Sequence, residues 1–201
     1  MIRPPSTRNS GMVLKIINTE LVMKKKIWKH VFVTYSGESF TFYSKAVVDN
    51  DDTVTCTLYV RGPGGLYRKL VFSDPKEFAF VDLFLKLAEE KDTDMYYAAN
   101  MVNKYDGEMA FLMMKAVDWE DAGYALLGDY LADVKGDFHG AFDAYSESAK
   151  YDNCYSICKL GCLYAEGKGC PKDPDKAKKL FEDILSEYPD AEKYLDQYGL
   201  R

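Results

Sequence analysis

The stretch 157–181, ICKLGCLYAEGKGCPKDPDKAKKLF, constrains the fold of this chain more than any other. It contains two runs with helical spacing, CKLGCLYAE and DKAKKLF, on either side of a turn rich in glycine and proline. Glycine and proline are the residues that most often end one element and begin the next. The stretch therefore predicts two helices folded back on each other across a tight turn.

The same arrangement of small and aromatic residues occurs earlier in the chain. Gly128 lies 33 residues before Gly161, and each is followed by a second helix in which an aromatic residue comes four positions after an alanine. A small residue lets the second helix approach the first closely, and the aromatic ring fills the remaining space. The matching sets are Gly128 with Ala141 and Tyr145, and Gly161 with Ala177 and Phe181.

A third and more divergent unit occupies residues 92–120, with Ala98-Ala99 in place of Leu-Gly and Glu108 at the small position. Helix-turn-helix units of this kind cannot bury their apolar faces alone and must stack on one another. The sequence therefore predicts a short α-solenoid of three helical repeats and a final capping helix within residues 76–201.

Residues 160–181 resemble a Sel-one-like repeat, a relative of the tetratricopeptide repeat. The resemblance covers about residues 92–187, although the turn of the second unit is three residues shorter than that of the third. It implies a groove, lined by the first helix of each unit, that binds a partner. The residues that carry the resemblance are Leu160, Gly161, Tyr164, Gly167, Gly169, Asp173, Lys176, Ala177 and Phe181.

Alignment to the repeat pattern also implies which side chains face this groove. The acidic members of the set favour a basic segment of another protein as the ligand, through electrostatic complementarity. The plainer interpretation, that these are only solvated helix residues, stays open at this point. The candidate partner-binding residues are Tyr96, Asn100, Asn103, Lys104, Asp129, Asp133, Tyr155, Cys162 and Glu166.

The first 75 residues have a β pattern. The run TVTCTLYV alternates apolar and polar residues, and runs rich in Val, Thr, Tyr and Phe are separated by short turn clusters such as GPGG at 62–65. We expect an antiparallel sheet of four or five strands in residues 1–75, preceded by a mobile arm. The apolar helix that follows, KEFAFVDLFLKLAEE, is expected to cover one face of the sheet, which makes the chain an α+β protein.

Charge is unevenly divided between these two regions. Residues 1–75 contain 11 Lys and Arg against 6 Asp and Glu, whereas the remaining residues carry a net charge of −11. The basic cluster Lys24–Lys26, with Trp28 and Lys29, leaves a nucleic-acid-binding role as an alternative. Lysines at a sheet edge usually prevent aggregation of the sheet, so we expect no nucleic acid as a partner.

The chemistry-bearing residues predict neither a catalytic nor a metal site. Cys154, Cys158 and Cys162 form one helical stripe, but a buried free cysteine usually packs as a small apolar residue. His30 and His139 have no neighbouring Cys or Asp in the sequence that would complete a triad or ligand set. We therefore expect no catalytic residues, cofactor or metal, with a hydrolase on the repeat scaffold as the rival hypothesis.

Location follows from the same features. No run reaches the roughly 18 apolar residues that cross a bilayer, and an odd number of cysteines without a CxxC pair is typical of a reducing compartment. We expect a cytoplasmic, non-catalytic protein–protein interaction module or adaptor, such as a bacterial immunity or effector-associated protein. Its oligomeric state is left open.

Overall fold

A computed structural model describes residues 27–48, 54–72 and 75–201. The chain divides into two compact units between Trp119 and Glu120, called here the first and the second unit. The sequence pattern had suggested a boundary near residue 75. The difference arises because three helices belong to the same compact unit as the sheet.

The first unit begins with a four-stranded antiparallel sheet in the order β1-β2-β3-β4. Four predicted features lie outside the described residues: the strand MVLKII, the arm before it, the basic cluster at 24–26 and the turn at 49–52. The GPGG turn joins β3 to β4, and its Gly64 and Gly65 have positive φ angles that favour glycine. The strands are β1 Ile27–Val33, β2 Ser39–Val48, β3 Val54–Arg61 and β4 Tyr67–Phe72.

The two faces of the sheet differ sharply in burial. The inner face carries Phe32, Phe40, Phe42, Leu58 and Val60, each 0–1% exposed. The outer face carries the alternate residues of each strand, which are mostly half-buried or exposed. The alternation predicted for β3 is therefore confirmed for the described side chains of that strand, because successive side chains of a strand point to opposite faces.

The helix predicted to cover the sheet is α1 Pro75–Glu90, and it packs on β3, β4 and α2. Phe78, Val81, Phe84 and Leu85 are at most 4% exposed, which matches the broad apolar stripe in the sequence. The unit ends with α2 Met95–Asn103 and α3 Gly107–Lys115.

The second unit is helical, and each of its helices packs against the next. Its helices are α4 Glu120–Asp129, which continues as a π-helical turn Tyr130–Lys135, α5 Phe138–Ala149, α6 Cys154–Glu166, α7 Pro174–Ile184 and α8 Ala191–Gln197. Side chains of Asp137, Asn153 and Asp173 accept hydrogen bonds from backbone N–H groups and so cap α5, α6 and α7. The helical hairpin predicted for 157–181 is therefore confirmed as α6 and α7.

The α+β class and the N-terminal antiparallel sheet are likewise confirmed. Within the described ranges, no helix combines the length and the apolar character needed to cross a membrane.

Candidate functional site

In each of the two hairpins of the second unit, α4–α5 and α6–α7, a glycine of the first helix packs against an aromatic ring of the second. A Cβ atom placed on Gly128 would lie 2.5 Å from a ring carbon of Tyr145, and one on Gly161 would lie 2.6 Å from a ring carbon of Phe181. Both rings are almost fully buried. The predicted close approach at these two glycines is confirmed.

The carboxylate of Asp129 joins three helices of the second unit. The Tyr145 hydroxyl of α5 donates to its Oδ1 at 2.7 Å, and the Tyr155 hydroxyl of α6 donates to Oδ1 and Oδ2 at 2.8 and 2.9 Å. Lys159 Nζ lies 3.6 Å from the same Oδ1 and 5.2 Å from the centre of the Tyr155 ring. Asp129 at the end of α4 is therefore fixed by hydrogen bonds, and not a freely moving surface side chain.

Burial and the negative charge of Asp129 raise the pKa of the Tyr145 hydroxyl above its ordinary value. Asp129 has this effect because a phenolate beside a carboxylate would repel it, whereas the neutral phenol donates a hydrogen bond to it. Tyr145 therefore stays a neutral donor throughout the physiological pH range.

Asp133 lies on the π-helical turn that extends α4, four residues after Asp129. Its side chain is exposed, and its charge also contributes to raising the pKa of Tyr145, so the two carboxylates act on the same region. Val134 beside it is 55% exposed. We call the surface formed by Asp129, Asp133, Tyr155 and Lys159 the Asp129 face.

A second group of polar side chains links α6 to the end of α8. The Tyr198 hydroxyl donates to Glu166, and Lys168 Nζ lies 2.8 Å from Glu166 Oε2. The hydrogen bond from Lys168 and then that from Tyr198 lower the pKa of Glu166. This exposed carboxylate is consequently ionised and held in place.

Cys162, another predicted contact residue, belongs to the same group. Its thiol has a lowered pKa, chiefly because the Cys158 thiol donates a hydrogen bond to it. Cys158 is buried in the α6–α7–α8 core, and its pKa is raised, first by that hydrogen bond and then by burial. Cys158 thus packs as a small core residue, as expected from the repeat pattern.

The four remaining predicted contact residues belong to α2 and its end, in the first unit. Tyr96 and Asn100 are half-buried, and Lys104 is exposed. Asn103 is only 6% exposed, so its side chain is not presented to a partner at the surface. Since α2 belongs to the same compact unit as the sheet, these residues are separate from the Asp129 face in the division of the chain.

The first unit also contains a cleft of about 310 Å³ that the sequence did not reveal. His30 Nδ1 lies 2.8 Å from Glu89 Oε1, and burial raises the pKa of the nearby Asp82, while His30 lowers it. Leu85 and Lys86 complete the lining. This pairing joins β1 to α1 across 59 residues of sequence, a distance over which no local motif gives a signal.

Neither histidine lies in a complete nucleophile–base arrangement among the side chains just described. Cys56, whose pKa is raised by burial and then by Asp82, lies in the sheet core and does not line the cleft. His139 is exposed, with Nδ1 3.9 Å from Asp143 Oδ2. Over the described ranges, no three or more His, Cys, Asp or Glu side chains are grouped so that they could hold a metal ion.

Comparison of the chain with protein-family models, with curated proteins and with solved structures finds no match in any of the three.

Proposed function

We propose that this protein is a non-catalytic binding protein whose second unit captures a basic segment of a partner protein on the Asp129 face. In this proposal, α4–α5 and α6–α7 are two units of the Sel-one-like or tetratricopeptide-like kind. The observation that carries the proposal is the fixing of Asp129 by hydroxyl groups from two other helices. Asp129 is held in place by these hydrogen bonds and lies beside Lys159, so the exposed carboxylate of Asp133, four residues on, is the group that would meet a cation.

Several neighbouring features support the same ligand chemistry. Asp133 adds an exposed carboxylate, and Val134 adds an exposed apolar side chain beside it. Tyr155 presents a half-buried ring whose hydroxyl is already hydrogen-bonded. A cationic segment with an apolar residue would find complementary charge, a rigid aromatic contact and little entropic cost of ordering the site.

The proposal can be tested with the full-length chain and a displayed library of random peptides. We expect the selected peptides to be rich in Lys and Arg, because the exposed carboxylate of Asp133 attracts them. Replacing Asp133 with lysine places like charges together, which costs several kcal/mol, so binding of a selected peptide should weaken at least about tenfold.

The matched control is Asp183→Lys, which makes the same charge change at an exposed aspartate of α7. This control should bind the selected peptide almost as the unchanged protein does. Selection of peptides without basic residues, or equal weakening by both substitutions, would contradict the proposal.

A further inference from the structure

The outer face of the sheet in the first unit combines aromatic rings with cations. Because paired strand residues point to the same side, the strand register places Tyr43, Tyr59 and Tyr67 on this face. The same register adds Lys29, Lys45, Arg61 and Lys69. We call these seven residues the tyrosine–lysine face.

One row of this face crosses all four strands. Lys29 pairs with Tyr43, Tyr43 with Tyr59, and Tyr59 with Lys69. Neighbouring strands are about 4.8 Å apart, so the row places two rings side by side between two cations. Tyr67 extends it, since the centres of its ring and that of Tyr59 are 6.1 Å apart.

Tyr43 and Tyr59 are half-buried, and each ring has a lysine ammonium group near it. Lys29 Nζ lies 6.0 Å from the centre of the Tyr43 ring, and Lys69 Nζ lies 5.7 Å from that of Tyr59. Tyr67 is 60% exposed. A flat group that stacks on these rings would displace the lysine side chains, which are then available for an anion on the same ligand.

Charge on this face has a single sign. Among the described strand residues that point to this side, four are Lys or Arg and none is Asp or Glu. By contrast, Arg68, which points to the inner side, is paired with Asp106 at 2.9 Å. Four cations without a carboxylate on a flat surface favour a polyanion as ligand.

The rings decide which polyanion fits best. Single-stranded nucleic acid alternates phosphates with flat bases, and proteins bind it by combining cations with aromatic stacking platforms. A duplex hides the faces of its bases, so the tyrosine rings would have nothing on which to stack. A lipid surface or an acidic protein would use the cations and leave the tyrosine rings without a planar partner.

Although the basic cluster at 24–26 alone led us to expect no nucleic acid as a partner, we propose that the tyrosine–lysine face binds single-stranded nucleic acid. Bases stack on the three tyrosines while the four cations neutralise phosphates. This site is in the first unit and does not depend on the Asp129 face. A failure of one proposal therefore leaves the other standing.

The test measures fluorescence anisotropy of labelled oligo-dT and oligo-U with the full-length protein. We expect binding at low salt, and log K should fall with log salt at a slope no steeper than about −3, because each of four phosphate contacts contributes about 0.7. Lys69→Gln should flatten the slope by about 0.7. Lys104→Gln, at an exposed lysine after α2, is the control and should leave it unchanged.

The tyrosines are tested with Tyr67→Leu and Tyr59→Leu, which keep an apolar side chain and remove the ring. Loss of one stacked base should weaken binding about 5- to 150-fold, and circular dichroism would verify that the sheet remains folded. Exposed Lys69 gives a variant that leaves folding unaffected should a tyrosine variant unfold.

Three results would overturn the proposal. They are no binding at low salt, equal effects of Lys69→Gln and Lys104→Gln, and competition by poly-glutamate or by phosphatidylserine vesicles as effective as that by oligo-dT. The last result would assign the face to an acidic protein or a membrane surface, because neither competitor has bases to stack.

Discussion

The hairpins α4–α5 and α6–α7 use the same glycine-on-ring contact, but the two rings end differently. Tyr145 carries a hydroxyl that reaches Asp129, whereas Phe181 has none and lies nearly parallel to the rings of Tyr194 and Tyr198, with centres 5.7 and 6.2 Å apart. One hairpin therefore ends in a hydrogen-bonded carboxylate and the other in an aromatic stack. Both hairpins share the contact of glycine with a ring. The hydroxyl group, present on Tyr145 and absent from Phe181, decides whether the ring can also bond to a carboxylate.

The largest expected effect tests the contact that the two hairpins share. Gly128→Ala and Gly161→Ala each place a Cβ within 2.6 Å of a buried ring, so each should lower the free energy of unfolding by about 1–3 kcal/mol despite the better helix propensity of alanine. Chemical denaturation measures the loss. A smaller ring partner, in Gly161→Ala with Phe181→Leu, should recover part of it. Unchanged stability of both single variants would show that the glycines are not needed for close approach.

Exchanging the ring tips tests the difference between the hairpins. Tyr145→Phe removes one of the hydroxyls that Asp129 accepts, and should cost about 1.5 kcal/mol because the acceptor is charged. Phe181→Tyr should cost about 1–2 kcal/mol, since it adds a hydroxyl to a ring that is 0% exposed. Denaturation of the two variants side by side provides the measurement. If Phe181→Tyr is stabilising, the ring tips are not distinct in the way described.

The hydroxyl of Tyr145 also makes the stability of the protein depend on pH in the alkaline range. The raised pKa of Tyr145 means that the folded protein keeps a proton that the unfolded chain releases above about pH 10. Stability from this group is fully present below pH 10 and falls above it, by about 1.4 kcal/mol per pH unit. Tyr145→Phe should reduce the steepness of this fall by one group relative to the unchanged protein.

Other tyrosines contribute to the same loss of stability at high pH. Burial raises the pKa of Tyr188 to about 12 and also raises those of Tyr194 and Tyr198, so these three residues contribute to the fall with and without the Tyr145 hydroxyl. The prediction is therefore a difference between variants and not the absolute slope. Identical slopes for Tyr145→Phe and the unchanged protein would contradict it.

The smallest effect concerns the cysteines beside the aromatic stack. Cys162 has a lowered pKa, whereas burial chiefly raises that of Cys56, Cys154 and Cys170, and Cys158 is raised by its hydrogen bond and burial. Because the thiolate is the nucleophile, iodoacetamide at neutral pH should modify Cys162 first. Cys158→Ala removes the donor to that thiolate and should slow the modification. Peptide mass spectrometry gives the site and rate; faster modification of another cysteine would be the opposite result.

The contacts within each hairpin could be predicted because the sequence repeats locally. The spacing of Gly128, Gly161, Tyr145 and Phe181 shows in the sequence, because small and aromatic residues recur at fixed intervals within one hairpin. The hydrogen bonds that fix Asp129 could not be predicted from the sequence, since its second donor, Tyr155, belongs to the next hairpin, 26 residues further on. The repeat pattern predicts Asp129 and Tyr155 as two separate contact residues, whereas the Tyr155 hydroxyl donates a hydrogen bond to Asp129.

The first unit shows the same limit at longer range. Alternation along β3 identified its inner face, and the apolar stripe of α1 identified the helix that covers it. The pair His30 and Glu89 and the ion pair of Arg68 with Asp106 join residues 59 and 38 positions apart. Side-chain pairs that form only after the sheet and helices have packed leave no mark on local periodicity.

The central claim is that the Asp129 face binds a cationic segment, and a charge exchange tests it most directly. With a basic peptide selected by display, affinity would be measured by titration calorimetry for the unchanged protein, for Asp133→Lys, and for Asp133→Lys with a peptide in which the contacting Lys or Arg is replaced by Glu. We expect Asp133→Lys to lose affinity for the basic peptide and to regain it with the peptide that carries Glu. Affinity that is unaffected by Asp133→Lys, or that the exchanged peptide fails to restore, would contradict it.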